Sequence, residues 1–185
     1  MKLYHGTTVP GLEVLRAGSL DWEGNPVLYL TDNYPYSLFY IRDRDINFVT
    51  CGVNADGMVR YDEKFPEQLQ TLYREMTGWV YEVEVNAKPG KANGIYITLG
   101  DARITGKTYI PDVWQAIQDE IARGTVKLLA YEDTTEAQRA INWEGIVRMF
   151  QSDQNIHPKK EVLLRSHFPG AWEEAKRRNL DKSYG

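Results

Sequence analysis

Six residues in the first forty have the types and spacing of a pocket for a flat, polar ring. They are His5, Gly6 and Thr7, then Tyr29, then Ser37 and Tyr40, the last two eight and eleven positions after Tyr29 (29+8 and 29+11). Tyrosine faces stack on planar ligands. A histidine and a serine hydroxyl supply hydrogen bonds, and a glycine lets a ligand approach the backbone closely. Taken singly, His5 reads as a structural histidine, the tyrosines as core aromatics and Ser37 as a helix residue. Their joint spacing argues for a pocket.

Other chemistries find less support. His5, His157 and His167 are the only histidines, and none has a second ligand at helical spacing, so no metal site is expected. The chain has no phosphate-binding glycine loop, no Gly-x-Gly-x-x-Gly and no Gly-x-Ser-x-Gly elbow. The single cysteine, Cys51, cannot form an intramolecular disulfide and reads as a small buried residue rather than a nucleophile. A net charge of −4 gives no overall basic footprint for nucleic acid. With 42% hydrophobic and 26% charged residues over 185 positions, the composition is that of a globular domain with a sizeable core. Neither a signal-peptide apolar run nor a membrane-length apolar segment is read, so a cytoplasmic, bacterial protein with no membrane partner is expected.

The elements that must position these residues are short. Lys2–His5 reads as a strand ending at Gly6, and Leu12–Leu15 as a helical run closed by Gly18. Val27–Thr31 reads as a strand after the Asn25-Pro26 turn, and residues 34–42 as a helix capped by Asp32. Met58–Tyr61 is a strand, and Asp62–Met76 an amphipathic helix with Phe65, Leu69, Leu72 and Met76 on one face. Trp79, Tyr81, Val83 and Val85 alternate with Val80, Glu82 and Glu84, which marks a strand with one wetter face. Further expectations are a strand at Ile95–Leu99, a helix at Asp112–Arg123 stopped by Gly124, a strand at Val126–Tyr131 and a helix at Thr134–Phe150. A loop at Ser152–Lys160, a short strand at Glu161–Leu164 and a helix at Pro169–Asn179 complete the chain. No repeat or linker interrupts it, and one mixed α+β domain over residues 1–185 is expected.

Leu3-Tyr4-His5-Gly6-Thr7 resembles the first motif of the ADP-ribosyltransferase superfamily, in its diphtheria-toxin and poly(ADP-ribose) polymerase branch. Leu28-Tyr29-Leu30-Thr31-Asp32, followed by Ser37 and Tyr40, resembles the second. The third motif of that His-Tyr-Glu branch is a glutamate near the start of a late strand, for which Glu161 in Lys159-Lys160-Glu161-Val162-Leu163-Leu164 is the candidate. Glu144, beside Trp143, is a weaker one because it falls on a helix. The likeness covers residues 3–40 well and residues 41–150 thinly. Lys159 stands where arginine-directed members carry an acidic residue, which disfavours arginine modification. The residues after Glu161 lack the texture of the polymerases, so chain elongation is not implied.

The resemblance implies a split antiparallel β-sheet core with flanking helices, NAD as co-substrate, no metal, and release of nicotinamide as ADP-ribose passes to an unspecified acceptor. His5, Tyr29 and Glu161 would be catalytic, and His5, Gly6, Thr7, Tyr29, Ser37 and Tyr40 would hold NAD. The physical case is that breaking the nicotinamide–ribose bond leaves positive charge on the ribose, which a carboxylate stabilises. His5 would bond a ribose hydroxyl, Gly6 and Ser37 would meet the amide, and Tyr29 and Tyr40 would sandwich the ring. Lys159, Lys160, Arg42 and Arg44 read as solvated charges or as guides for a pyrophosphate. A non-catalytic NAD or ADP-ribose module and an RNA 2′-phosphotransferase-like enzyme are the alternatives.

Overall fold

A computed structural model describes residues 1–20, 23–46, 48, 50–152 and 156–183. The protein is mixed α+β, with antiparallel sheets and six α-helices among the described residues. Its strands are β1 (Lys2–Thr7), β2 (Val14–Leu15), β3 (Ser19–Leu20), β4 (Pro26–Thr31), β5 (Cys51–Val53), β6 (Val59–Asp62), β7 (Gly78–Glu84), β8 (Lys88–Pro89), β9 (Ile95–Leu99), β10 (Ala102–Ile110) and β11 (Val126–Leu129). Its helices are α1 (Tyr34–Leu38), α2 (Gln68–Tyr73), α3 (Val113–Arg123), α4 (Glu136–Ser152), α5 (Pro158–His167) and α6 (Pro169–Ser183).

The chain divides into two compact units. The first comprises Met1–Arg42, Val49–Asp62 and Leu69–Leu128; the second comprises Asp43–Phe48, Glu63–Gln68 and Leu129–Gly185.

The first unit holds the main sheet, in the order β2-β10-β7-β1-β4-β9-β8, with β3 on β4. One face of this sheet carries Leu3, Leu28, Leu30, Tyr81 and Val83 as a single apolar cluster. Burying each such side chain contributes about 1.5–3 kcal/mol. On the other face, helix α1 lies against β1. Asn33 starts α1: its side-chain oxygen accepts the Tyr36 N–H at 2.9 Å, and Pro35 occupies the first turn. The cap is therefore Asn33 rather than Asp32. Two glycines allow the close approach. A β-carbon on Gly6 would collide with the Ser37 carbonyl, and one on Gly78 would strike Ile41 and come within 2.6 Å of the Thr7 carbonyl oxygen.

Three sequence expectations for this unit are corrected. Leu12–Leu15 contains no helix: Val14 and Leu15 pair with Arg103 and Ala102 as β2 on β10. A run of four residues is too short to nucleate a helix, and the ladder takes Val14 and Leu15. The helix expected over Asp62–Met76 shortens to α2, because Pro66 excludes the helical region for its predecessor and Glu67 adopts φ 56°. Strand β10 was not expected. Its polar face hides the alternation, and its register on β7 shifts between Ile104 and Gly106. The Thr105 hydroxyl at that irregularity donates to the Glu82 carbonyl at 3.2 Å.

The second unit is helical. Phe48, Phe65, Val147, Phe150, Leu164 and Ala171 share its core, and the rings of Phe48 and Phe65 lie parallel with centroids 6.4 Å apart. Arg178 of α6 forks onto both oxygens of Glu144 of α4, at 2.7 and 3.0 Å. The short strand expected at Glu161–Leu164 is also corrected, since these residues lie in α5. Pro158 sits in its first turn, the His157 ring nitrogen accepts the Lys159 N–H at 3.3 Å, and Glu161 pairs with Arg165 one turn on. The loop expected at Ser152–Lys160 keeps no described coil beyond Ile156 and His157, and residues 153–155 lie outside the described residues.

Candidate functional site

Two strands of the main sheet carry four of the six candidate residues: His5, Gly6 and Thr7 on β1 and Tyr29 on β4. Strand β1 pairs with β7 along its whole length, from Lys2 opposite Glu84 to Thr7 opposite Trp79. Strand β4 pairs with β9 from Val27 opposite Leu99 to Thr31 opposite Ile95. Between themselves, β1 and β4 register at Tyr4 opposite Thr31 among the described residues. Beyond that pair, toward Gly6 and Tyr29, a side chain replaces the ladder. The His5 Nδ1 lies 3.3 Å from the Tyr29 carbonyl oxygen. A carbonyl oxygen only accepts, so this bond fixes the proton on Nδ1.

Alternation assigns the other residues to faces. Tyr29 falls two residues before Thr31, on the face that carries Tyr4, and it is 39% exposed. Tyr4 meets Tyr34 of α1 edge to face, with centroids 5.5 Å apart. Gly6 lies beneath the backbone of Ser37. Ser37 is fully buried, and its hydroxyl donates to the Tyr34 carbonyl at 2.6 Å. The Thr7 hydroxyl, also buried, accepts the Val9 N–H at 3.3 Å and fixes the exit from β1. Tyr40 follows α1 and packs edge to face on Tyr36 at 5.3 Å, with the Arg42 guanidinium 5.8 Å from its ring centroid. Burial, with a bond to Tyr36, holds the Tyr40 phenol above its ordinary range. His5, Gly6, Thr7, Tyr29, Ser37 and Tyr40 thus all belong to the first unit, on β1, β4, α1 and the turn that follows α1.

Glu161 is placed differently. It belongs to the second unit, in the first turn of α5, with its carboxylate 2.5 Å from Arg165 Nη2. It stands on no strand of the sheet. Glu144 is likewise helical, and Arg178 and then Arg148 hold its carboxyl below the usual range.

The carboxylates that β7 sets opposite β1 are Glu84, opposite Lys2 at the strand end, and Glu82, opposite Tyr4, 2.8 Å from the Lys2 ammonium and nearer to Gly6. The signal for Glu82 was present in the Trp79–Val85 alternation, which put it on the wetter face, but nothing in the sequence paired that strand with β1. Cys51 is half-buried rather than fully buried, and desolvation pushes its thiol up to about 12.

Among the described residues, no group of three or more His, Cys, Asp or Glu side chains is arranged to hold a metal ion. No helix among them is long and apolar enough to cross a membrane. Comparisons with protein-family models, with curated proteins and with solved structures give no match for this chain.

Proposed function

We propose that the protein binds NAD through its first unit, with the nicotinamide end at the opening between β1 and β4, and transfers ADP-ribose to an acceptor. The observation that carries this reading is the parting of β1 and β4 beyond Tyr4–Thr31, with His5 tied to the Tyr29 backbone across it. A sheet that opens between two otherwise fully paired strands offers backbone amides and carbonyls to a ligand, and the exposed Tyr29 ring gives it a face to stack on.

In the transfer, the bond between the nicotinamide nitrogen and the ribose carbon breaks and nicotinamide leaves with the bonding pair. The acceptor's nucleophilic atom adds to the ribose carbon and gives up its proton. A carboxylate beside the ribose lowers the cost of the intervening positive charge. Glu82 is the β7 carboxylate nearer to Gly6 on this strand; Glu161, in the second unit, is the one that the resemblance implies.

Nicotinamide release from NAD, followed by chromatography, tests the reading. Turnover that falls at least a hundredfold in Glu82→Gln or Glu161→Gln, with NAD still raising the melting temperature, assigns the carboxylate. Absence of any NAD effect on the melting temperature of the unaltered protein rejects the whole reading. A module that binds NAD or ADP-ribose without chemistry is the second reading. It is favoured by the helical, arginine-paired state of Glu161, and it predicts stabilisation by NAD with no nicotinamide released.

A further inference from the structure

The second unit has a cavity of about 370 Å³ of its own, lined from Lys64–Pro66, from the turn at Tyr131, and from α4 and the α5–α6 junction. That is the lower end of the size range of small-molecule sites, about 300–1,000 Å³. Its walls are of two kinds. Trp143 and Tyr131 are half-buried aromatics, and the His167 ring lies flat on Phe65, with centroids 3.7 Å apart and planes 15° from parallel. Burial pushes the His167 imidazole below its usual range, so it is neutral near pH 7 and presents a ring rather than a charge.

The remaining wall is cationic and set in place before any ligand arrives. The Lys64 N–H donates to the Gln68 side-chain oxygen at 2.6 Å, and the buried Gln68 amide donates in turn to the Phe48 carbonyl at 3.2 Å. This fixes the backbone from which the Lys64 ammonium extends. Arg139 commits Nε to the Thr134 hydroxyl at 3.0 Å and Nη2 to the Tyr131 and Glu132 carbonyls at 3.1 Å. Its Nη1 amino group is the donor left over. At the third corner α6 begins with Pro169, which has no N–H, so Gly170 supplies the first amide at the positive end of a 15-residue helix. Glu136 is the single carboxylate in the lining, against the two cations.

We propose that this cavity is a binding site for a small aromatic ring bearing one anionic group, phosphate or carboxylate, with the ring against Trp143 and Tyr131 and the anion between Lys64, Arg139 Nη1 and the Gly170 amide. Aromatic walls alone would suit a neutral hydrophobe, and cations alone an inorganic ion. Their meeting in one cavity selects a molecule that carries both features. The site lies wholly in the second unit and does not depend on the reading of β1 and β4.

The test is a titration of the full chain with phenyl phosphate and, in separate arms, phenylacetate, phenol and inorganic phosphate, read by backbone amide NMR shifts. Saturable shifts at Gly170 and Phe65, with Gly6 unmoved, are expected for phenyl phosphate or phenylacetate, and whichever binds more tightly names the anion. Phenol and inorganic phosphate bind at least tenfold more weakly. Lys64→Ala, which removes the ammonium of a half-buried lysine and leaves the backbone bond to Gln68, weakens binding about tenfold while the protein keeps its cooperative thermal unfolding. The proposal is overturned if neither ring-bearing anion saturates, if inorganic phosphate binds as tightly as phenyl phosphate, or if Lys64→Ala binds like the unaltered protein.

Discussion

The imidazole of His5 is tied to the backbone of Tyr29, with Nδ1–H donating to the Tyr29 carbonyl oxygen at 3.3 Å. The two residues are therefore linked by something that a change of the Tyr29 side chain does not remove. Tyr29→Ala is expected to lower the melting temperature only modestly, because the residue is 39% exposed on the sheet surface, yet to lose the stabilisation by NAD. His5→Ala is expected to lose both that response and about 1 kcal/mol of stability, measured by urea unfolding. Equal NAD responses in Tyr29→Ala and the unaltered protein would remove Tyr29 from the ligand site.

The seat of α1 on β1 predicts a steep cost at glycine. Gly6→Ala sets a methyl group against the Ser37 carbonyl, and Gly78→Ala sets one against Ile41 and the Thr7 carbonyl. Each is expected to destabilise the protein by about 1–3 kcal/mol, as overpacked cores do. Gly145 lies inside α4, and a β-carbon there would meet no atom from outside its own stretch of helix within 4 Å. Gly145→Ala is expected to stabilise by up to about 1 kcal/mol. Denaturant midpoints of the three variants give the comparison.

Acid sensitivity is expected in the second unit. Arg177 and then Arg178 hold the Glu174 carboxyl down to about 2, from an ordinary value of 4.5. A carboxyl depressed in the folded state contributes stability that is fully present above its unfolded value and is lost as the pH falls through its folded value. The melting temperature should thus decline from about pH 4.5 toward pH 2. Glu174→Gln should show a shallower decline over that window, and an unchanged slope would exclude this carboxylate as a cause.

Cys51 is expected to resist alkylation. With its thiol pushed up to about 12 by desolvation, hardly any thiolate exists at pH 8. Iodoacetamide labelling followed by mass spectrometry should proceed in urea and stall in buffer.

Sequence patterns revealed the elements whose signals are local. Strand β7 announced itself by strict alternation, and α3 by Asp112, which accepts the Gln115 N–H at 2.9 Å, together with Gly124 at φ 77°. Strand β1 was legible as Lys2–His5, and the strand continues through Gly6 and Thr7, where the glycine suggested a stop. Glu161 was misread because Val162, Leu163 and Leu164 form an apolar run too short to have a period. Leu164 is buried whereas Val162 is 69% exposed, as a helix with one buried face requires. The pairing of β7 with β1, which makes Glu82 a neighbour of the candidate site, joins residues about eighty positions apart, and no local pattern encodes it. The same holds for the Lys64–Trp143 cavity, whose walls come from chain segments that the sequence keeps far apart.

The second unit is assembled from three separate stretches, Asp43–Phe48, Glu63–Gln68 and Leu129–Gly185. Phe48 and Phe65 in its core come from the first two, while Val147, Leu164 and Ala171 come from the third. During synthesis, then, the two early phenylalanines emerge from the ribosome some seventy residues or more before the helices that cover them. They must wait, solvent-facing or sheltered by a chaperone, until nearly the whole polypeptide exists. A fragment beginning at residue 129 would be born without them and would lack half of the aromatic floor that its helices need.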